Sequence, residues 1–297
     1  MYHLATIFPK LEGRKLPLSR DQIILLLAAV NEIILGVDIF LAHSISGTIV
    51  PYEWIPIIFG PLAGILLLIS GIIAMRRRDL ATNIASLVFV ASIIIGVLGT
   101  YFHFRRALLQ DAQISQIISL DLMINAVPLF GPISFAGVGL LGLSAALVES
   151  PPDSGKLRFF GGGTLRLPYS KSSAYYFYVS LGILAALISS VLDHARTGFA
   201  NPWLWLPTLT GVFAVVVAVV IGANSQPTRN DLLTFFYAML VLMIVGLIGA
   251  ALHVQTDLTA NFKFVQERFL RGAPVLAPLQ FANMALLGIV IMLDPKE

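Results

Sequence analysis

Eight long apolar runs follow one another along the chain, with short polar segments between them. Leu, Ile, Val and Ala dominate the runs, without the strict alternation that a half-buried strand shows. Each run has about 20 residues, the length that an α-helix needs to cross a bilayer. The predicted spans are 22–43, 54–74, 81–103, 125–147, 174–195, 203–223, 232–253 and 275–293. The pattern therefore predicts an all-α polytopic membrane protein with eight transmembrane helices.

The composition supports a membrane protein in the lipid bilayer. The 297 residues are 57% hydrophobic and only 12% charged, with a mean hydropathy of +0.87. Soluble domains carry roughly 25% charged residues, so a soluble fold of this size could not cover itself with polar surface. There is no cysteine, which excludes disulfides, thiolate-held iron–sulfur clusters, thiolate zinc sites and c-type haem attachment.

Lysine and arginine predict the orientation of the spans. One side carries six of these residues: Arg105, Arg106, Arg196, Lys263, Arg268 and Arg271. The other side carries thirteen: Lys10, Arg14, Lys15, Arg20, Arg76, Arg77, Arg78, Lys156, Arg158, Arg166, Lys171, Arg229 and Lys296. The richer side should face the cytoplasm, which puts both termini inside and the protein in the inner (cytoplasmic) membrane of the cell. The pI near 9.2 then reflects topology signals, and no nucleic-acid partner is expected.

The connecting segments divide the chain into four parts. We expect a cytoplasmic tail over 1–21, a first four-helix unit over 22–147, a cytoplasmic linker rich in Pro, Gly and Ser over 148–173, and a second four-helix unit over 174–293. The longest outer loops, 104–121 and 254–274, are the expected docking surfaces for other membrane or extracytoplasmic electron-transfer subunits.

Several landmarks recur in the two units at an offset of 150 or 151 residues. The pairs are His43 and His194, His103 and His253, Pro56 and Pro207, Pro128 and Pro278, Gly96 and Gly246, and Gly99 and Gly249. Such self-similarity predicts a duplicated unit. Because each unit has an even number of helices, the two should share one orientation and be related by a pseudo-twofold axis along the membrane normal.

The four histidines of the repeat should form one layer near the outer face, where each ends an odd-numbered span. Neutral imidazole binds haem iron and other metal ions. The simplest arrangement pairs His43 with His103 and His194 with His253, with one haem b in each unit, and the glycines before His103 and His253 would leave room for the porphyrin. Two alternatives stay open: an interfacial or helix-capping role, with the glycines serving helix packing, and a protonation role.

Two carboxylates lie inside the first apolar run. Glu32 is near its middle, where a charge costs roughly 2.5–3.5 kcal/mol, and it shares a helix face with His43 about 16 Å away. Asp38 lies on a different face. Glu32 and Asp38 are the candidates for a proton path or a quinone headgroup pocket. The alternative is a neutral Glu32 that is hydrogen-bonded to a neighbouring helix through Asn125 or Asn283.

Three functions are compatible with these features. The first is an integral membrane subunit of a respiratory-type electron-transfer complex, which holds haem b or contacts quinone through the histidine layer. The second is a transporter or channel for a small or apolar solute that uses Glu32. The third is a non-catalytic membrane anchor or assembly subunit. No catalytic motif is present, so the chain is at most a subunit of an oxidoreductase complex.

Overall fold

A computed structural model describes residues 2–12, 16–45, 49–111, 130–158, 163–259 and 261–294. Helices make up nearly all of this structure. The α-helices are α1 (Tyr2–Ile7), α2 (Arg20–Ile45), α3 (Trp54–Ala74), α4 (Arg78–Asp111), α5 (Phe130–Ala146), α6 (Lys171–Ala195), α7 (Trp205–Ala223), α8 (Arg229–Asp257), α9 (Gln266–Arg271) and α10 (Leu276–Val290). Short 3-10 turns cover Pro9–Leu11, Pro51–Glu53 and Pro202–Leu204.

Six helices of the described structure are long and apolar enough to cross a membrane: α2, α3, α4, α6, α7 and α8. They identify a polytopic membrane protein. The other two predicted spans correspond to α5 and α10, which are shorter, with 17 and 15 residues. At about 1.5 Å per residue these helices are roughly 25 and 22 Å long, less than the roughly 30 Å of a hydrocarbon core. Both are the fourth helix of a predicted unit.

The surface of the long helices suits a lipid environment. Leu87, Leu181 and Leu209, from three different helices, are 73, 65 and 66% exposed. A soluble monomer rarely exposes contiguous apolar surface on this scale. Lipid contact is therefore the simplest explanation of these apolar outer faces.

The helices pack in the same order in both parts of the chain. In the first part α2 packs on α3, α3 on α4, α4 on α5, and α2 also on α5. In the second part α6, α7, α8 and α10 make the same four contacts in the same order. One buried apolar cluster lies within the first part, and a larger one fills the second and takes in residues of α1, α2 and α5.

Glycines bring the third and fourth helices of each part into close contact. A Cβ at Gly96 would overlap the backbone of Ala136, and a Cβ at Gly99 would contact the ring of Pro132. The second part repeats this contact: Gly246 faces Ala282 and Gly249 faces Pro278. The proline that faces Gly99 is thus Pro132. The sequence analysis paired Pro128 with Pro278, and Pro128 lies outside the described residues.

Two segments differ from the sequence-based expectation. The linker over 148–173 contains an antiparallel three-stranded sheet of β1 (Val148–Glu149), β2 (Lys156–Arg158) and β3 (Thr164–Arg166). In the tail over 1–21, α1 is docked on the second helical part, where the backbone N–H groups of His3 and Leu4 donate to the carbonyl of Met292 at 3.1 and 3.2 Å. Burial of the apolar side chains of α1 explains this docking, since Leu4 and Ile7 belong to the core.

Candidate functional site

The first histidine pair comes together where α2 and α4 lie side by side. The ring centroids of His43 and His103 are 6.0 Å apart, with an angle of 63° between the ring planes. His43 is in the last turn of α2, and His103 lies within α4, which continues for two further turns to Asp111. His43 and His103, which the sequence analysis paired, are therefore close together in the structure.

Glu53 joins this pair and was missed by the sequence analysis. Its Oε2 lies 3.1 Å from His43 Nδ1 and also accepts a hydrogen bond from the backbone N–H of Val50 at 3.0 Å. The carboxylate is held by the short 3-10 turn that precedes α3, and Glu53 is only 8% exposed. An acidic residue at the predicted outer end of the second span was the only signal in the sequence. A carboxylate hydrogen-bonded to Nδ1 orients the ring and leaves Nε2 to face a ligand.

The second histidine pair has different surroundings. His194 is near the end of α6, where its ring lies 6.1 Å from that of Phe199 between centroids, and it is within electrostatic reach of His253. His253 Nδ1 lies 3.0 Å from the carbonyl oxygen of Pro274. At an offset of 151 residues, the counterpart of Glu53 is Leu204. An apolar residue thus stands where Glu53 stands in the first pair, and the carboxylate within electrostatic reach of His194 is its chain neighbour Asp193.

No group of three or more His, Asp or Glu side chains suitable for a metal ion occurs among the described residues. Two-histidine ligation of a haem does not need such a group. The glycines expected to leave room for a porphyrin, Gly96 and Gly99, are instead in contact with α5. They serve helix packing in this structure, as do Gly246 and Gly249 against α10.

Glu32 lies in the middle of α2 and is completely buried, with 0% exposure. Its Oε1 is 2.5 Å from the hydroxyl oxygen of Ser92 in α4, and that hydroxyl is also 2.9 Å from the carbonyl oxygen of Phe135 in α5. The other carboxyl oxygen, Oε2, is buried and has no hydrogen-bond partner among the described residues. The helix partner of Glu32 is thus Ser92, a residue that the sequence analysis did not name.

Asn283, one of the two asparagines proposed as partners of Glu32, bonds a different residue. The side-chain amide of Asn283 in α10 donates to the side-chain oxygen of Asn31 in α2 at 3.1 Å, which links the two helical parts. Asn125 lies outside the described residues. Asp38, the other predicted carboxylate, is half-buried in α2 between Glu32 and His43. No hydrogen bond joins it to either imidazole in the part of the chain that the structure describes.

A third polar cluster joins the beginnings of α2 and α6. Arg20 donates to the hydroxyl of Ser172 at 2.8 Å, and Lys171 pairs with Asp21 at 2.5 Å. The side chains of Arg20 and Lys171 are each only 2% exposed. The hydroxyl of Tyr175 also donates to Asp21 at 3.2 Å. Charged groups this deeply buried require such partners.

Comparisons of the chain with protein-family models, with curated proteins and with solved structures find no match.

Proposed function

We propose that the protein is an integral membrane subunit of a respiratory-type electron-transfer complex, and that its histidine pairs bind haem b or contact quinone. The observation that carries this proposal is the 6.0 Å separation of the His43 and His103 rings at one end of the first helical part. Residues 60 apart in the sequence meet there as a potential ligand pair.

The closeness of the two rings of the first pair would allow both imidazoles to ligate one metal ion. His43 and His103 would hold the group in the first part, and His194 and His253 in the second. Haem supplies one-electron chemistry when it is bound. Glu53 orients His43 and balances its charge when the imidazole is protonated.

Absorption spectroscopy of the purified protein tests the haem version. We expect a b-type α band in the reduced-minus-oxidised spectrum that is weakened in His103→Ala, lost when His103→Ala is combined with His253→Ala, and kept in the control His3→Ala. The control removes a histidine that lies on α1, away from both pairs. A native protein without the band would overturn haem binding and leave the quinone version. That version requires quinone-dependent redox activity that Glu53→Gln and His43→Ala reduce.

The proposal includes a duplicated architecture. Two polar contacts between equivalent positions, one in each direction between the parts, support it. Arg20 and Lys171 are 151 residues apart, as are Asp21 and Ser172, and this is the offset of His43 and His194. Arg20 of the first part bonds Ser172 of the second, while Lys171 of the second bonds Asp21 of the first. A twofold axis generates such a reciprocal pattern.

The same contacts support a common orientation of the two parts. They join the N-terminal ends of α2 and α6, the first long helix of each part. In an inverted repeat the beginning of one would meet the end of the other. Eight spans with both termini in the cytoplasm, and histidines near the outer face, complete the proposed topology. The outer segments 104–121 and 254–274 would then be available to membrane or extracytoplasmic subunits.

A transporter or channel is the second candidate, because Oε2 of Glu32 is a buried polar atom in a long apolar helix and has no partner in the described part of the chain. Solute flux in reconstituted vesicles that Glu32→Gln abolishes, with no spectral band from the histidines, would favour it. Histidine variants that leave spectra and redox activity unchanged, with stable co-purification of a larger complex, would favour a membrane anchor.

A further inference from the structure

The Glu32–Ser92 pair is enclosed by three helices of the first part. Both residues are 0% exposed. Ser92 Oγ stands 2.5 Å from Glu32 Oε1 and 2.9 Å from the carbonyl oxygen of Phe135. A serine hydroxyl has one proton to donate, so it cannot satisfy both acceptors at once.

This geometry suits Glu32 in either charge state. When Glu32 is a carboxylic acid, its O–H donates to Ser92 Oγ, and the serine proton is directed to the Phe135 carbonyl. When Glu32 is a carboxylate, the serine hydroxyl rotates and donates to Oε1. The two charge states therefore keep the heavy atoms in equivalent positions and differ in the direction of the serine hydroxyl.

The second helical part shows that the fold does not need a polar pair at this position. At offsets of 151 and 150 residues, the counterparts of Glu32 and Ser92 are Ile183 and Leu242. Both are also 0% exposed and belong to an apolar cluster. One part of the molecule thus packs its helices through two aliphatic side chains where the other buries a carboxyl group and a hydroxyl. Burying an ionisable group in a membrane span is costly, which makes such a residue a candidate functional site.

We propose that Glu32 and Ser92 form a proton-exchange site: Glu32 takes up and releases a proton, and Ser92 accommodates both charge states. A water molecule or hydroxyl group that reaches Oε2 gives its proton to that oxygen, and a half-turn of the carboxyl group then brings the O–H to Ser92. Release reverses these two steps. On release, the O–H bond of Glu32 breaks and its electron pair stays on the carboxylate.

The groups around this site are polar but uncharged. The Phe135 carbonyl faces it from α5, Tyr178 of α6 is within electrostatic reach of Glu32, and the Asn31–Asn283 bond lies beside it between α2 and α10. Such surroundings leave the charge of Glu32 to be set by proton exchange. This site does not depend on haem or quinone binding by the histidines.

Infrared spectroscopy of the reconstituted native protein tests the site. We expect a carbonyl band of a buried carboxylic acid that shifts in heavy water, decreases as the pH is raised, and is missing in Glu32→Gln. Ser92→Ala should shift the band, because the acid loses its acceptor. Ser86→Ala is the matched control. It removes another buried hydroxyl of α4, which has no hydrogen-bond partner among the described residues, and it should leave the band in place. A Glu32 band that heavy water and pH do not change would overturn the proposal.

A double variant separates function from structure. Glu32→Ile with Ser92→Leu copies the pair of the second part, so we expect its thermal unfolding midpoint to be equal to or above that of the native protein, with the exchangeable band lost. A lowered midpoint in this variant and in Glu32→Gln would identify a structural hydrogen bond and overturn the proposal. The infrared result is independent of any absorption spectrum, so the failure of haem binding and the failure of proton exchange are distinguishable.

Discussion

His43 and His194 end equivalent helices, yet their neighbours differ in charge. His43 contacts the carboxylate of Glu53, whereas His194 faces the ring of Phe199. A similar difference separates Glu32 from its apolar counterpart Ile183. The second part has a buried carboxyl group of its own in Asp257, at the end of α8. Carboxyl groups therefore occupy different positions in the two parts.

His3 provides a residue-scale prediction about pH. Burial, and secondarily the positive charge of Arg20, lower the pKa of His3 from 6.5 to about 4. The neutral ring accepts a hydrogen bond from the hydroxyl of Tyr176 at 2.6 Å. Between pH 4 and pH 6.5, His3 binds a proton more readily when α1 is released than when it is docked. The docking of α1 should therefore weaken as the pH falls from 6.5 to 4, by up to about 3 kcal/mol.

Hydrogen–deuterium exchange of residues 2–7, corrected for the intrinsic effect of pH, measures this change. Protection should be lower at pH 5 than at pH 7 in the native protein. His3→Gln should show the same protection at both values. A pH dependence that is unchanged in His3→Gln would contradict the assignment.

At the scale of elements, apolar run length was enough to predict a helix in every one of the eight places. The contacts between the helices follow from small residues whose partners the sequence did not name, such as Ala136 at Gly96. The linker sheet was not predicted because its strands have only two or three residues each and are mostly exposed. The strands pair because the chain reverses direction between them, and they are too short to show a hydrophobic alternation.

Gly96→Ala tests the close contact between α4 and α5. The added Cβ would overlap the backbone nitrogen of Ala136, so the helices must separate, and we expect a loss of about 1–3 kcal/mol in the free energy of unfolding. Gly71→Ala in α3 is the control, because no atom lies within 4 Å of its Cβ position. That variant should be neutral or more stable by up to about 1 kcal/mol. Unfolding in detergent measures both, and equal effects would contradict the packing account.

At the scale of the whole molecule, two helical parts with the same order of contacts are joined by polar groups at their interface. The exchange around Arg20 and Lys171 joins the beginnings of α2 and α6, and the Asn31–Asn283 bond joins α2 to α10. These bonds fix how the parts sit against each other, since apolar faces alone specify register weakly in a lipid environment.

A double-mutant cycle on Asp21 and Lys171 tests this interface. Without Asp21, Lys171 keeps only the Leu147 carbonyl as a partner among the described residues, and without Lys171, Asp21 keeps Arg20 and Tyr175. Asp21→Asn and Lys171→Met should each cost about 1–3 kcal/mol, a range reduced for the partial exposure of Asp21. The coupling between them should be clearly above that of Asp193 and Arg196, an exposed pair 3.8 Å apart in the same part. A coupling free energy for Asp21 and Lys171 no larger than that for Asp193 and Arg196 would contradict this account of the interface.

The absence of cysteine makes the orientation directly testable. A single cysteine at Phe264, which is 67% exposed in a proposed outer segment, should react with a membrane-impermeant maleimide on intact cells. A cysteine at Arg77, between α3 and α4, should react only after permeabilisation. The reverse pattern, or labelling of both from outside, would contradict the proposed topology.

The sequence by itself determined that this chain is a helical membrane protein, where its helices lie, and which histidines and carboxylates deserved attention. Run length and composition carry that information locally, because a bilayer requires every spanning backbone to satisfy its own hydrogen bonds. Only the tertiary structure decided that Glu53 contacts His43, that Ser92 contacts Glu32, and that Arg20 and Lys171 exchange partners across the two parts. Those contacts join residues on different helices, and helix packing alone determines which side chains meet.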